Sequence, residues 1–177
     1  ISLLLSVVFF IPALLEQRYV EGLNTFKYSD HFPDIYQLLI PSWGSDYSGV
    51  ASATQMSFQI GAANLFLVSF VICALLCKKV KKDRAYILFF LIWFFVLCYL
   101  MTSYSSAIWE FVSFMGYFQF PWRLLSLVIL CCAILAGSIT HISKNKFLYI
   151  LFLIFIIATT YGYASTPYML DRTDEYY

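Results

Sequence analysis

The chain of 177 residues is predicted to adopt an all-α, polytopic membrane fold, and three observations predict it. Hydrophobic residues make up 62% of it and charged residues only 12%, where a soluble domain carries about 45–50% and about 25%. The apolar residues are gathered into long runs without charge. The charges between those runs are sorted by sign along the chain. A disordered chain would be polar and charged, and 7 Gly with 5 Pro fit neither collagen nor a low-complexity tract. The net charge of +1 carries no signal of a partner, and no nucleic acid is expected.

The first run, residues 1–15, reads ISLLLSVVFFIPALL. It has no basic lead and no small-residue cleavage site, so it does not read as a signal peptide. A spanning helix needs about 20 residues, so the run is expected to be the truncated end of a helix, and the chain a fragment. Four further spans are expected at 58–77, 85–101, 124–142 and 147–164. In hydrocarbon every backbone group must be satisfied within the segment, which makes each span a helix. Strands of a membrane barrel would alternate in polarity, and these runs do not.

Orientation follows from the short connections. Lys78, Lys79, Lys81, Lys82 and Arg84 stand between the second and third spans, and Lys144 and Lys146 between the fourth and fifth. Nine of the ten acidic residues, all but Asp83, lie in the other connections. Basic short loops stay on the cytoplasmic side, so loops 78–84 and 143–146 are expected inside. Segments 16–57 and 102–123 are expected outside, with 165–177 starting a further extracytoplasmic segment. A specific anionic-lipid site is the alternative reading of KKVKKDR.

The spans read mainly as scaffold. All five cysteines, Cys73, Cys77, Cys98, Cys131 and Cys132, fall within apolar runs and read as small buried hydrophobes rather than as metal ligands or disulfides. Ala133 and Gly137 have the small-xxx-small spacing that lets helices approach closely. Asn64, with Gln55 and Gln59 a little earlier, is polar at the start of the second span. It reads either as glue between helices or as the lining of a wet cavity.

The outer segments hold the candidate chemistry. Segment 16–57 is too long for a simple connector. Within it, Pro33–Ile40 reads as a short amphipathic helix whose face carries Ile35, Leu38 and Leu39, with Pro33 in its first turn. Asp30, His31 and Asp34 are metal-capable residues in close order, but helix capping by Asp30 and solvated turns explain them as well. In segment 102–123, Ile108, Phe111, Val112 and Met115 recur at helical spacing, opposite Ser106, Glu110, Ser113 and Tyr117. That pattern suits one helix in the interface plane, with Trp109, Tyr117 and Trp122 in the aromatic belt. Its polar face could instead floor a cavity, with Glu110 pointing inward. Arg123 opens the fourth span on the outer side, against the positive-inside trend. Its planar fork suits a lipid phosphate; the alternatives are snorkelling or an ion pair with Glu110 or Glu16.

Four stretches, IPALLEQRY (11–19), LIPSWGSDYSG (39–49), MSFQIG (56–61) and FQFPWRLL (118–125), resemble bacterial multi-pass membrane proteins related to the GT-C glycosyltransferases. The most similar family is the one labelled 6-pyruvoyl-tetrahydropterin-synthase-related, and YfhO-like and protein-mannosyltransferase-like families share the layout. The resemblance implies a GT-C-like helical fold in the bacterial cytoplasmic membrane. It also implies an outer-face cavity, membrane lipids as partners, and transfer of a sugar from a polyprenyl-phosphate donor to an extracytoplasmic acceptor. Such enzymes carry a catalytic carboxylate, often with a divalent metal such as Mg or Mn, in a first outer loop that would lie upstream of Ile1. Carried onto this chain, the resemblance makes Arg123 a contact for the lipid phosphate and brings Trp43 and Gln59 near the cavity. Glu16, Asp46 and Glu110 are the carboxylates within reach of such a cavity. No metal ligand is assigned within the chain. A lipid-linked sugar transporter or flippase would need charges inside the spans, and a non-catalytic scaffold would keep the same fold.

Overall fold

The computed structural model describes residues 27–41, 56–78, 80, 83–142 and 145–164, with 7–9, 11–12, 15–16 and 19. Every element among them is helical. Six α-helices are given: α1 (Ile35–Leu39), α2 (Ala62–Leu76), α3 (Arg84–Leu100), α4 (Ser106–Phe111), α5 (Leu125–Ile142) and α6 (Lys146–Thr160). Short 3-10 turns at Tyr28–His31, Ser103–Ser105, Ser113–Phe118, Pro121–Leu124 and Tyr161–Ala164 join or extend them. Of the first predicted span, residues 7–9, 11–12 and 15 are α-helical, as is Glu16 just after it.

α5 is the hub. It packs against α3 and against α2, and α6 packs against α2. Its inward stripe is Val128, Cys131, Cys132, Leu135 and Ile139, the i, i+3, i+4, i+7 pattern of one helix face. α3 meets it with Ile87, Leu91, Phe94 and Leu97, and α2 with Leu67, Val68, Val71, Ala74 and Leu75. α6 buries Phe152 alone among its described side chains, which seats against Phe66 and Phe70 of α2 with ring centroids 5.6 Å apart in each case.

The outward faces are as apolar as the core. Phe89, Ile92, Trp93 and Phe95 of α3, Leu127, Ile129 and Leu130 of α5, and Ile150, Leu153, Ile154 and Ile157 of α6 are all exposed. Polar side chains in these helices are satisfied locally. Ser69 Oγ donates to Leu65 O, Ser138 Oγ to Leu135 O and Thr160 Oγ1 to Ile156 O, at 2.9, 2.6 and 2.7 Å. Such back-bonding hides a hydroxyl without help from another helix.

By length and composition one helix, Pro121–Ile139, is long and apolar enough to cross a membrane. Arg84–Leu100 and Ser103–Phe111 pass that test only together, and a 91° bend divides them. Ala62–Leu76 and Lys146–Thr160 are shorter apolar helices. The second expected span therefore begins four residues later than the apolar run does. The reason is Gly61, whose φ of +94° ends an extended stretch rather than starting a helix. That stretch is strapped to α1 by Ile60 N donating to Leu38 O at 2.9 Å.

Other expectations also change in detail. Asn64 Nδ2 donates to Ile60 O at 2.7 Å, so it closes the start of its own helix rather than bridging to another. Asp34, not Asp30, stands at the N-cap of α1, with its own N–H donating to Gln37 Oε1 at 2.8 Å, and Pro33 lies ahead of the helix. Of the three residues expected to share one face of α1, Leu38 is buried while Ile35 and Leu39 are exposed. Ala133 and Gly137 face outward, and a Cβ on Gly137 would meet nothing within 4 Å.

Candidate functional site

The site lies at the end of the bundle where α3 finishes and α2 and α5 begin. Segment 102–123 does not form the single interfacial helix expected of it. α4 stops at Phe111, Val112 leaves helical geometry at φ −98° and ψ 85°, and a 3-10 turn follows. Of the predicted apolar face, Ile108, Phe111 and Val112 are exposed, while Met115 is half-buried and packs against the core. Trp109 does not sit in an outer belt but turns inward, 1% exposed. Its Nε1 donates to Leu100 O at 2.9 Å, and Ser105 Oγ donates to the same carbonyl at 3.0 Å. The terminal carbonyls of α3 lack helical partners. Trp109 and Ser105 supply one, and in doing so fold α4 back across the end of α3.

Around Trp109 the outer segments assemble through rings. Tyr28 stacks on it at 5.4 Å, Phe32 meets it edge-on at 5.7 Å, and Phe118 lies at 6.5 Å. A second group centres on Phe120. His31 meets it edge-on at 4.8 Å, Trp122 stacks on it at 5.5 Å, and Phe58 tilts against Trp122 at 5.6 Å. Edge-on and offset pairs of this kind each add about 0.5–1.5 kcal/mol beyond burial. The Nε1 of Trp122 is buried and has no hydrogen-bond partner among the described residues.

Arg123 sits at the rim of this cluster. Pro121–Leu124 forms the 3-10 turn that leads into α5, with Pro at its first position. Arg123 is exposed. Its guanidinium lies over the Phe120 ring, 5.0 Å from the centroid, and its Nη1 donates to Phe118 O at 3.2 Å. Among the described residues no carboxylate pairs with it, so the expected alternative of an ion pair with Glu110 or Glu16 is not found there. A ring face and a neutral carbonyl orient the guanidinium without cancelling its charge. Among the described residues only its Nη1 has a hydrogen-bond partner.

The remaining candidates are scattered. Glu110 is exposed on α4, and Glu16 is exposed in the first helical stretch. Gln59 is half-buried in the extended stretch before α2, next to Phe58. Trp43, Asp46, Gln55 and segment 165–177 lie outside the described residues. Among the described residues no three His, Cys, Asp or Glu side chains come together as a metal site, so they do not build a place for the divalent ion that the resemblance implies.

Phe120 was not singled out from the sequence, although it builds the site; its signal is that it stands three residues before Arg123, within reach of a guanidinium one turn on. His31 was singled out only as a metal-capable residue, and its buried place against Phe120 depends on a segment far away in the chain. No protein-family model matches the chain, and no curated protein and no solved structure matches it.

Proposed function

We propose that the chain is part of a polytopic membrane protein of GT-C-like glycosyltransferase type, and that Arg123 grips the phosphate of a polyprenyl-phosphate sugar donor at the extracytoplasmic face. The carrying observation is the guanidinium itself. It is held by Phe120 and Phe118 O at the mouth of the longest apolar helix, with its positive charge left for an anion.

The apolar outward faces support the membrane part of this reading. Soluble monomers rarely expose contiguous apolar patches beyond a few hundred Å², while lipid favours them. The shorter helices gain reach from their flanks. α6 continues into the turn Tyr161–Ala164, which brings it to roughly 30 Å at about 1.5 Å per α-helical and about 2.0 Å per 3-10 residue. Seven of the eleven basic residues fall in the two connections at the other end, the arrangement of cytoplasmic loops.

In such a transferase Arg123 would bind the donor phosphate and offset the charge that gathers on it as the sugar leaves. The apolar outer faces would lie against the prenyl chain. A carboxylate must take the proton of the acceptor hydroxyl; Glu16, Asp46 and Glu110 are the carboxylates the sequence offers for that role. The test is glycosyl transfer by reconstituted protein supplied with polyprenyl-phosphate sugars. The Arg123→Ala variant is expected to lose about 10–100-fold in rate, as for a charge-assisted contact of about 1.5–3 kcal/mol. Transfer at the wild-type rate would remove the phosphate grip.

A further inference from the structure

The backbone at Gln119 is where this site is strained. Its φ is +60° and its ψ −44°, and Phe120 N donates back across it to Phe118 O at 2.6 Å. That is the geometry of a classic γ-turn, which is rare and strained. A side chain with a Cβ at positive φ is uncommon, and for residues other than Gly, Asn and Asp it costs of order 1–3 kcal/mol. Glycine would adopt this turn without that cost.

The turn places the two supports of Arg123 side by side. Phe118 O, the acceptor of Arg123 Nη1, precedes Gln119, and the Phe120 ring beneath the guanidinium follows it. The conformation alone would explain a glycine. It does not explain a glutamine. The Gln119 carboxamide is half-buried and makes no hydrogen bond among the described residues; only its backbone N–H is used, donating to Gly116 O at 3.1 Å. A polar side chain carried at a strained position, without a hydrogen bond among the described residues and flanked by both supports of the Arg123 guanidinium, has its partner in a ligand.

We propose that Gln119 is a second ligand-binding residue of the site, its carboxamide N–H donating to an oxygen of the phosphate group that Arg123 holds. This rests on the phosphate reading of Arg123. It identifies the ligand class as a phosphate ester with two non-bridging oxygens turned toward Phe118–Arg123. The strain at Gln119 is then a stability cost retained for binding.

The experiment uses the full chain in nanodiscs or neutral detergent, with two probes: phosphatidic acid in phosphatidylcholine vesicles and free inorganic phosphate. Thermal midpoint and dissociation constant are measured for wild type, Gln119→Gly, Gln119→Glu and Arg123→Ala. Gln119→Gly is expected to raise the midpoint by about 3 °C through relief of the turn and to weaken binding about fivefold through loss of one hydrogen bond. Gln119→Glu keeps the strain and sets a carboxylate against the anion, so its midpoint stays near wild type and its binding falls further than that of Gln119→Gly. A merely structural Gln119 would move stability and affinity together; opposite movement is the signature of a ligand contact. The same ranking with phosphatidic acid alone assigns the phosphate to a lipid, and with inorganic phosphate as well it assigns a headgroup-only site. Unchanged affinity, or a lower midpoint, for Gln119→Gly overturns the proposal while leaving Arg123 standing. Wild-type binding by Arg123→Ala, or no binding of either probe by the wild type, overturns the phosphate reading and this proposal with it.

Discussion

Arg84 and Arg123 are the same residue at opposite ends of the bundle, in opposite settings. Arg84 opens α3 beside Asp83, exposed, and its side chain makes no hydrogen bond or ion pair among the described residues. Four lysines crowd the seven-residue connection before it. Arg123 stands among rings, tethered to a carbonyl and laid on Phe120. One basic residue among many acts through the sum of the charge, which sets orientation across a membrane. A lone basic residue with built supports acts through its geometry. The difference lies in the packing around each side chain, although the sequence writes both with one letter.

The two ends also differ in what holds them. The aromatic end is packed by side chains from residues 28–32, 58, 109 and 118–122. At the basic end the connection between α2 and α3 buries Val80, and α6 begins with Asn145 Oδ1 accepting from Phe147 N at 3.0 Å. The largest stability effect should therefore come from the aromatic end. Trp109→Ala is expected to cost about 3–5 kcal/mol, from the cavity and the lost bond to Leu100 O, read as a fall in the denaturation midpoint in detergent. If Trp109→Ala cost no more than a change at the basic end, the contrast between the ends would fail. Next comes the functional contrast: Arg123→Ala weakens binding of a phosphate-bearing lipid about 10–100-fold, while Arg84→Ala leaves it within about twofold. Equal losses in a vesicle-binding assay would make both residues part of one diffuse field.

Smaller effects sharpen the picture at the basic end. Val80→Ala should cost about 1–2 kcal/mol, because a buried valine loses two methyl groups. Asn145→Ala should cost about 1 kcal/mol as the loss of an N-cap, seen as earlier fraying of α6 in hydrogen exchange. Its removal should leave lipid binding untouched, since α6 begins at the far end of the bundle from Arg123.

The apolar runs, their helical state and the sorting of charge were all legible along the chain. α3, α5 and α6 lie within a residue or so of the predicted starts at 85, 124 and 147, because charge and apolarity change abruptly there. The start of α2 was misjudged because the apolar run continues through Phe58 and Ile60, while the helix waits for Gly61. Segment 102–123 was misjudged for a related reason. Its i, i+3, i+4, i+7 pattern holds for Ile108, Phe111 and Val112, which are exposed, but not for Met115, which lies beyond the end of the helix and packs against the core. Periodicity, however, says nothing of a turn at Val112 or of the inward swing of Trp109.

Of the candidate site, Arg123 was legible because it breaks the charge pattern. Its supports were not. A guanidinium laid on Phe120, His31 brought edge-on to the same ring and the strained turn at Gln119 each depend on where other segments end up. The pattern of residues decides which stretches leave water and become helices, because burial of apolar groups and hydrogen bonding of the backbone are local, additive demands. Which face of a helix apolar on all sides turns inward is a different matter. So is which ring meets which, and which arginine is laid on a ring and tethered to a carbonyl. Those outcomes come from packing between distant segments, where several faces are equally apolar and only the fit of one against another breaks the tie.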